Sequence, residues 1–205
     1  MAEFQNKEVY LLYGSQTGNA ESIAEEVSAK FAEEGVPNKC MTLSGAKKQP
    51  MKDLASAMLI ICSTTGNGDA PENADSWWRS IKLRSAAKDM FQDVPFCVLG
   101  LGDTNYDKFC HMGKVIDKRM EELGGKRILD LHCADEGTGE LESTVETWKE
   151  AISKVVQRLS EGAAFGSEEG CAEAKPEAAE DMDTTAGAVE AAEAVAKMAI
   201  GTSAD

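Results

Sequence analysis

The chain has 205 residues and a net charge of −15. That length holds one domain of ordinary size plus an appendage, and the charge excludes nucleic acid as a ligand, since its phosphates would be repelled. A basic partner, or solubility alone, suits such an excess of acids.

The opening residues, Met1-Ala2-Glu3-Phe4-Gln5-Asn6-Lys7-Glu8, are too polar for a secretory signal. An apolar run at 9–13 follows, with the length and flanks of a buried parallel strand. The turn Tyr13-Gly14-Ser15-Gln16-Thr17-Gly18-Asn19-Ala20 leads into a helical pattern at 20–34, where Ile23, Val27 and Phe31 share one face. Residues 39–43 are a weaker strand candidate, and 44–54 are ambiguous, with Pro50 permitting a short helix from about there. A second apolar run, 58–62, ends in a glycine-rich loop, and a helix carrying Trp77, Trp78 and Ile81 is predicted over 73–84. A third run, 96–101, is followed by a helix over 110–123 that Gly124 ends. Residues 127–131 are the last strand candidate, followed by a loop from His132 to Glu140 and a helix over 143–159.

Five strands alternating with helices predict an α/β fold, a doubly wound parallel sheet. Ligands of such sheets lie at the carboxyl ends of the strands, near the point where strand order reverses. The folded domain is expected over 1–160. From 161–205 the composition turns Ala-rich and acidic, with eleven acids against two lysines and one aromatic, Phe165. That segment reads as a disordered tail or hinge, with an Ala-rich stretch at 185–200 marginal as a lone helix.

The six cysteines, Cys40, Cys62, Cys97, Cys110, Cys133 and Cys171, form no Cys-x-x-Cys and suit a reducing compartment. No apolar run approaches the ~18 residues of a membrane span, so a cytoplasmic setting is expected. The two histidines, His111 and His132, are too few and wrongly spaced for a metal site.

Four strand-end loops carry the candidate chemistry. The first, Ser15 to Ala20, opens a helix, whose free N–H groups and dipole favour an anion. It lacks the Gly-Lys-Ser/Thr ending of a nucleoside triphosphate loop, the dinucleotide glycine spacing and the Gly-x-Ser-x-Gly elbow of a hydrolase. What remains suits a single phosphate held by neutral donors, or an ordinary turn capping a helix. The second, Ser63-Thr64-Thr65-Gly66-Asn67-Gly68-Asp69-Ala70-Pro71-Glu72-Asn73, lets backbone come close to a ligand. In the third, Leu99-Gly100-Leu101-Gly102-Asp103-Thr104-Asn105-Tyr106-Asp107-Lys108-Phe109-Cys110, Tyr106 either shows a flat face to a flat ligand or packs on the next helix. In the fourth, Asp135, Glu136, Glu140 and Glu142 form either a solvated helix start or a negative rim for a basic redox partner.

The three motifs, in this order, resemble the FMN-binding, flavodoxin-like domain of the diflavin reductases, over roughly residues 9–160. Phe109-Cys110, the segment from Gly113 to Arg119, and His132-Cys133-Ala134-Asp135 are similar to the methionine synthase reductase branch. The resemblance implies a sheet of order 2-1-3-4-5 and FMN as cofactor. Ser15, Gln16, Thr17, Gly18, Asn19 and Ala20 would hold its phosphate. Thr64, Thr65, Gly66, Asn67 and Gly68 would line one side and edge of the ring. Leu101, Gly102, Asp103, Asn105, Tyr106 and Phe109 would form the other, with Tyr106 stacked and Asp135 near the edge. Several relatives place an aromatic where this chain has Thr65, so weaker binding or a more open face is expected.

The implied function is electron transfer. Electrons would come from an FAD- and NADPH-binding reductase module, in cis or in trans, because no part of the chain offers those sites. They would pass to a cobalamin, haem or iron–sulfur protein. No side chain is assigned as catalytic. The alternative is a flavin-free interaction module of the same fold, for which Thr65 is the best support.

Overall fold

The computed structural model describes residues 7–160. The tail or hinge expected at 161–205, with its helix at 185–200, lies outside the described residues. Within them the elements are β1 (Glu8–Gly14), α1 (Asn19–Glu33), β2 (Asn38–Thr42), α2 (Leu43–Ala46), α3 (Met51–Leu54), β3 (Ala55–Ser63), α4 (Glu72–Ile81), β4 (Pro95–Gly102), α5 (His111–Glu122), β5 (Lys126–Arg127), β6 (His132–Asp135) and α6 (Leu141–Ser160).

All strand pairs are parallel, in the order β2-β1-β3-β4-β5, with β6 also paired to β4. The sheet is buried on both faces, which is why its central strands read as unbroken apolar runs. Successive side chains alternate between the faces. Leu11, Leu59, Ile61 and Leu99 pack with Val27 and Phe31 of α1 and Trp148 and Ile152 of α6. Leu12, Met58, Ile60 and Val98 pack with Trp77 of α4 and Ile116 of α5 on the other side. Leu59, Ile60 and Ile61 are wholly buried, and each such side chain contributes roughly 1.5–3 kcal/mol. The ambiguous stretch after β2 holds two one-turn helices, α2 and α3, the second starting just after Pro50.

The last strand position corrects the sequence reading. A single strand was expected at 127–131 and a loop from His132 onward. Instead β5 pairs Lys126 and Arg127 with Pro95 and Phe96, the chain leaves the ladder, and β6 rejoins it with His132 opposite Leu99. From Arg127 to His132 the edge chain uses two more residues than β4 does from Phe96 to Leu99. The excursion behaves as an enlarged bulge. Being even, it keeps the inward-facing parity, and it carries Asp135 to a position opposite Gly102. Propensity cannot show such a break, because Ile128, Leu129 and Leu131 read as strand while packing onto the two cores.

On the α4 and α5 side, helix α5 sits unusually close to β4. A Cβ on Gly113 would lie 2.7 Å from Gly100 Cα, and one on Gly102 would lie 2.6 Å from Cys110 N. These glycines are required by space rather than by torsion. Gly113→Ala should therefore destabilise the domain by about 1–3 kcal/mol, the range for overpacking a tight core. The shift is read from urea unfolding midpoints, and an unchanged midpoint refutes the close approach.

Candidate functional site

The chain steps from β1 to β2 on one side, then crosses to β3 on the other, so the loops after β1 and β3 diverge. A crevice of about 570 Å³ opens there, walled by the first three loops together with Glu136 and Leu141. Its size is that of a small-molecule site.

The first loop turns sharply into α1 and leaves backbone donors unpaired at the start of that helix. Ser15 N–H donates to Asn73 Oδ1 (2.9 Å), Gly18 N–H donates to Ser15 Oγ (3.0 Å), and Gly18 takes the left-handed conformation at φ 98° that turns the chain into α1. Among the described residues no acceptor meets the N–H groups of Gln16, Thr17, Asn19 or Ala20. Gln16, Thr17 and Asn19 line the crevice, while Ala20 is a buried residue in the first turn of α1 and Ser15 and Gly18 shape the turn. Tyr13 Oη donates to Glu21 Oε1 at 2.7 Å. That bond, with burial, pushes the phenol up to about 12 and ties the carboxylate in the first turn of α1 to β1.

In the second loop Thr65 and Asp69 close a turn by reciprocal backbone bonds of 3.0 and 2.7 Å. Thr64, Thr65 and Gly66 face the crevice. Asn67 is exposed at the tip of the turn, and Gly68 lies under His111, where a Cβ would stand 3.1 Å from the ring. Burial, with Lys108 and Lys114 nearby, lowers the His111 pKa, against the pull of Asp69. Thr64 Oγ1 accepts from Met112 N–H at 3.1 Å, so the second loop is fastened to the start of α5.

Leu101, Gly102, Asp103 and Tyr106 form the facing wall. Tyr106 is 66% exposed, so its ring does not pack on the following helix but stands at the crevice mouth. Asn105 N–H donates to Asp103 Oδ1 (2.8 Å) in an Asx turn. Phe109 sits behind the wall, half-buried, with the Lys114 ammonium 5.2 Å from its ring centre.

Asp135, at the end of β6, is buried and braces two loops. Its Oδ1 accepts from Thr104 N–H and Gly137 N–H (both 2.9 Å), and its Oδ2 accepts from Thr104 Oγ1 (2.7 Å). Burial works against its charge, yet these bonds and one from the Thr138 hydroxyl outweigh it and hold the carboxyl below its ordinary value.

Glu136, expected in an acidic rim, lines the crevice, as do Ser63, Lys108 and Leu141, to which the sequence reading gave no role. Lys108 lay inside a motif already singled out, whereas Leu141 extends the apolar stripe of α6 two residues ahead of the predicted helix start. Lys108 is the one cation among the lining residues, beside Asp103 and Glu136. Glu140 and Glu142 stand exposed just beyond.

The family model described as Flavodoxin matches residues 11–148. The chain is 41% identical over 138 residues to methionine synthase reductase of Bos taurus, covering 67% of this chain and 20% of the relative. It is 37% identical over 159 residues to the sulfite reductase [NADPH] flavoprotein alpha-component of Bacillus subtilis (strain 168), covering 78% and 25%. It thus spans a fifth to a quarter of the length of these curated relatives. A solved structure, a cysteine-to-alanine mutant of flavodoxin from Pseudomonas aeruginosa, superposes with a TM-score of 0.62 at 27% identity, covering 73% of this chain and 99% of that one.

The Asp135 brace predicts a pH signature. Its folded-state pKa is depressed from 3.8, so its stabilisation is whole above that value and is lost as pH falls through the folded one. Asp135→Asn should melt below the parent at neutral pH, and the gap should close on acidification. A gap in melting temperature that stays constant down to acid denaturation contradicts an ionised brace.

Proposed function

The chain belongs to the flavodoxin family, and from that premise we propose that the crevice grips FMN by its phosphate and presents the ring between the second and third loops to redox partners. The cofactor is FMN and the chemistry is electron transfer, in keeping with the family and with relatives that are reductases and flavoproteins. The observation that carries the residue assignment is the meeting, in one crevice, of uncharged phosphate donors and an exposed tyrosine.

The donor set fits the group. The N–H groups of Gln16, Thr17, Asn19 and Ala20, with the Thr17 hydroxyl, offer hydrogen bonds to a phosphate at the start of α1, where the helix dipole adds to them. No lysine or arginine stands in this loop, so the cradle discriminates by hydrogen bonding and shape. Asn73 holds Ser15 in place and Gln16 Oε1 accepts from Glu72 N–H at 3.5 Å, so α4 braces the cradle from the second loop. Tyr106 offers its face to the ring, with Thr65 and Gly66 on the opposite wall. When bound, FMN supplies the electron-carrying chemistry that no side chain of the chain has. Asp103 and Glu136 in the wall disfavour added negative charge on the ring, and Lys108 opposes them.

The donor in this reading is an FAD- and NADPH-binding reductase module, supported by the NADPH in the name of one relative. The acceptor is a metalloprotein with a basic face. Glu136, Glu140 and Glu142 are exposed beside the crevice, and such a rim steers a basic partner more than it holds one.

Two measurements test this. Apo-protein titrated with FMN should quench flavin fluorescence to a saturable end point, riboflavin should bind more weakly, and Tyr106→Ala should weaken FMN by roughly threefold to tenfold, the worth of an aromatic face. Absence of saturable uptake overturns the assignment. The rate of electron delivery from the loaded, reduced domain to a basic acceptor should fall as salt rises through the range where the Debye length drops below about 10 Å, and a salt-independent rate removes the rim from the mechanism.

A further inference from the structure

Two cysteines on different elements meet beneath the third loop. Cys133 on β6 is registered with Gly100 on β4, and in-register residues of adjacent strands point to the same face of the sheet. That face is covered by the start of α5, where Cys110 presses down: a Cβ on Gly100 would stand 3.3 Å from Cys110 Cβ and 3.6 Å from its Sγ. Gly100 has no side chain to separate them, so the Cys110 and Cys133 thiols face one another across it. Cys110 holds a left-handed backbone (φ 51°) and is wholly buried, with its Sγ 3.8 Å from Ala134 O. Cys133 is only half-buried.

We propose that Cys110 and Cys133 form a reactive dithiol, a site of oxidative modification that hydrogen peroxide converts to an intramolecular disulfide. Cys133, the reachable member, attacks first. Its thiolate sulfur bonds one peroxide oxygen, the O–O bond breaks, and the departing hydroxide takes a proton to leave as water. The Cys110 sulfur, giving up its proton, then attacks the Cys133 sulfur. The S–S bond forms, the S–O bond breaks, and a second water leaves. Two electrons and two thiol hydrogens pass to the peroxide, and a dithiol reductant reverses the change.

The surroundings assign the same order. The neighbouring Cys110 and Lys114 favour a thiolate at Cys133, against burial and Asp117, while the Cys110 thiol is pushed up by the neighbouring Cys133 and by burial. The remaining described cysteines are poor competitors. Burial pushes Cys62 up to about 12 and raises Cys97 further, and burial with Glu25 and Glu21 pushes Cys40 up to about 11. The bond would join the residue that caps α5 to the strand that ends in Asp135, and so staple together two walls of the crevice.

The test uses the full chain, reduced, desalted and exposed to hydrogen peroxide, after which remaining thiols are alkylated and peptides mapped. The expected product has lost two hydrogens, contains a Cys110–Cys133 crosslinked peptide, and reverts with dithiothreitol. Cys133→Ser should abolish the crosslink and leave Cys110 to be alkylated once the protein is unfolded. Cys110→Ser should halt at a Cys133 sulfenic acid that dimedone captures. Should Cys110→Ser fail to fold, Cys133→Ser, at a half-buried position, carries the test. A disulfide through Cys40 or Cys171, an intermolecular dimer, or intact Cys110 and Cys133 thiols after other cysteines have oxidised overturns the proposal.

Discussion

Helix α5 approaches β4 until no side chain fits between Gly113 and Gly100. Most of the crevice geometry descends from that contact. It brings Cys110 N to within 2.6 Å of where a Gly102 Cβ would stand, which fixes where the third loop must end. It also presents Met112 N–H to Thr64 Oγ1 at 3.1 Å, so the second loop is tied to the same helix. Two glycine-rich segments thereby share one rigid support. A binding site on loops is only as precise as the elements behind it, and here those elements are a buried parallel strand and the helix pressed on it.

Charge is distributed differently. The turn before α1 offers backbone N–H groups and hydroxyls, and the acid in the first turn of that helix, Glu21, is occupied by Tyr13 Oη at 2.7 Å. The opposite rim is acidic, and its one buried carboxylate, Asp135, spends its bonds on Thr104 and Gly137 rather than on the crevice. Under the proposed reading, neutral donors take the phosphate while the acidic outer surface attracts a positively charged protein. The two roles stay separate because hydrogen bonds act at contact distance, whereas surface charge acts over a Debye length.

Much of this was legible in the residues. Apolar runs mark β1, β3 and β4 because strands buried on both faces need no alternation, and Ile23, Val27 and Phe31 mark α1 by their spacing. The loops that wall the crevice were legible because a doubly wound sheet allows few other places for glycine- and hydroxyl-rich strand ends. Less legible were matters of partnership. The bonds by which Asp135 braces Thr104 and Gly137 leave no mark in the sequence. Thr64 was expected to line the crevice, and it both lines it and accepts from α5. Lys108 enters the wall from a loop with no periodic signal, and Leu141 from the first position of α6.

Periodicity, composition and motif order in the chain itself determined the fold class, the positions of the central strands and most helices, and the loops that meet at the strand ends. These are local properties, set by the alternation of side chains and by the torsional demands of turns. Only the tertiary structure decided that the edge position is shared by β5 and β6, that Tyr106 is exposed, and that Cys110 and Cys133 face one another across Gly100. Those outcomes depend on register between distant segments. Register is set by packing against the helices on either face, a sum over contacts that no local stretch of sequence contains.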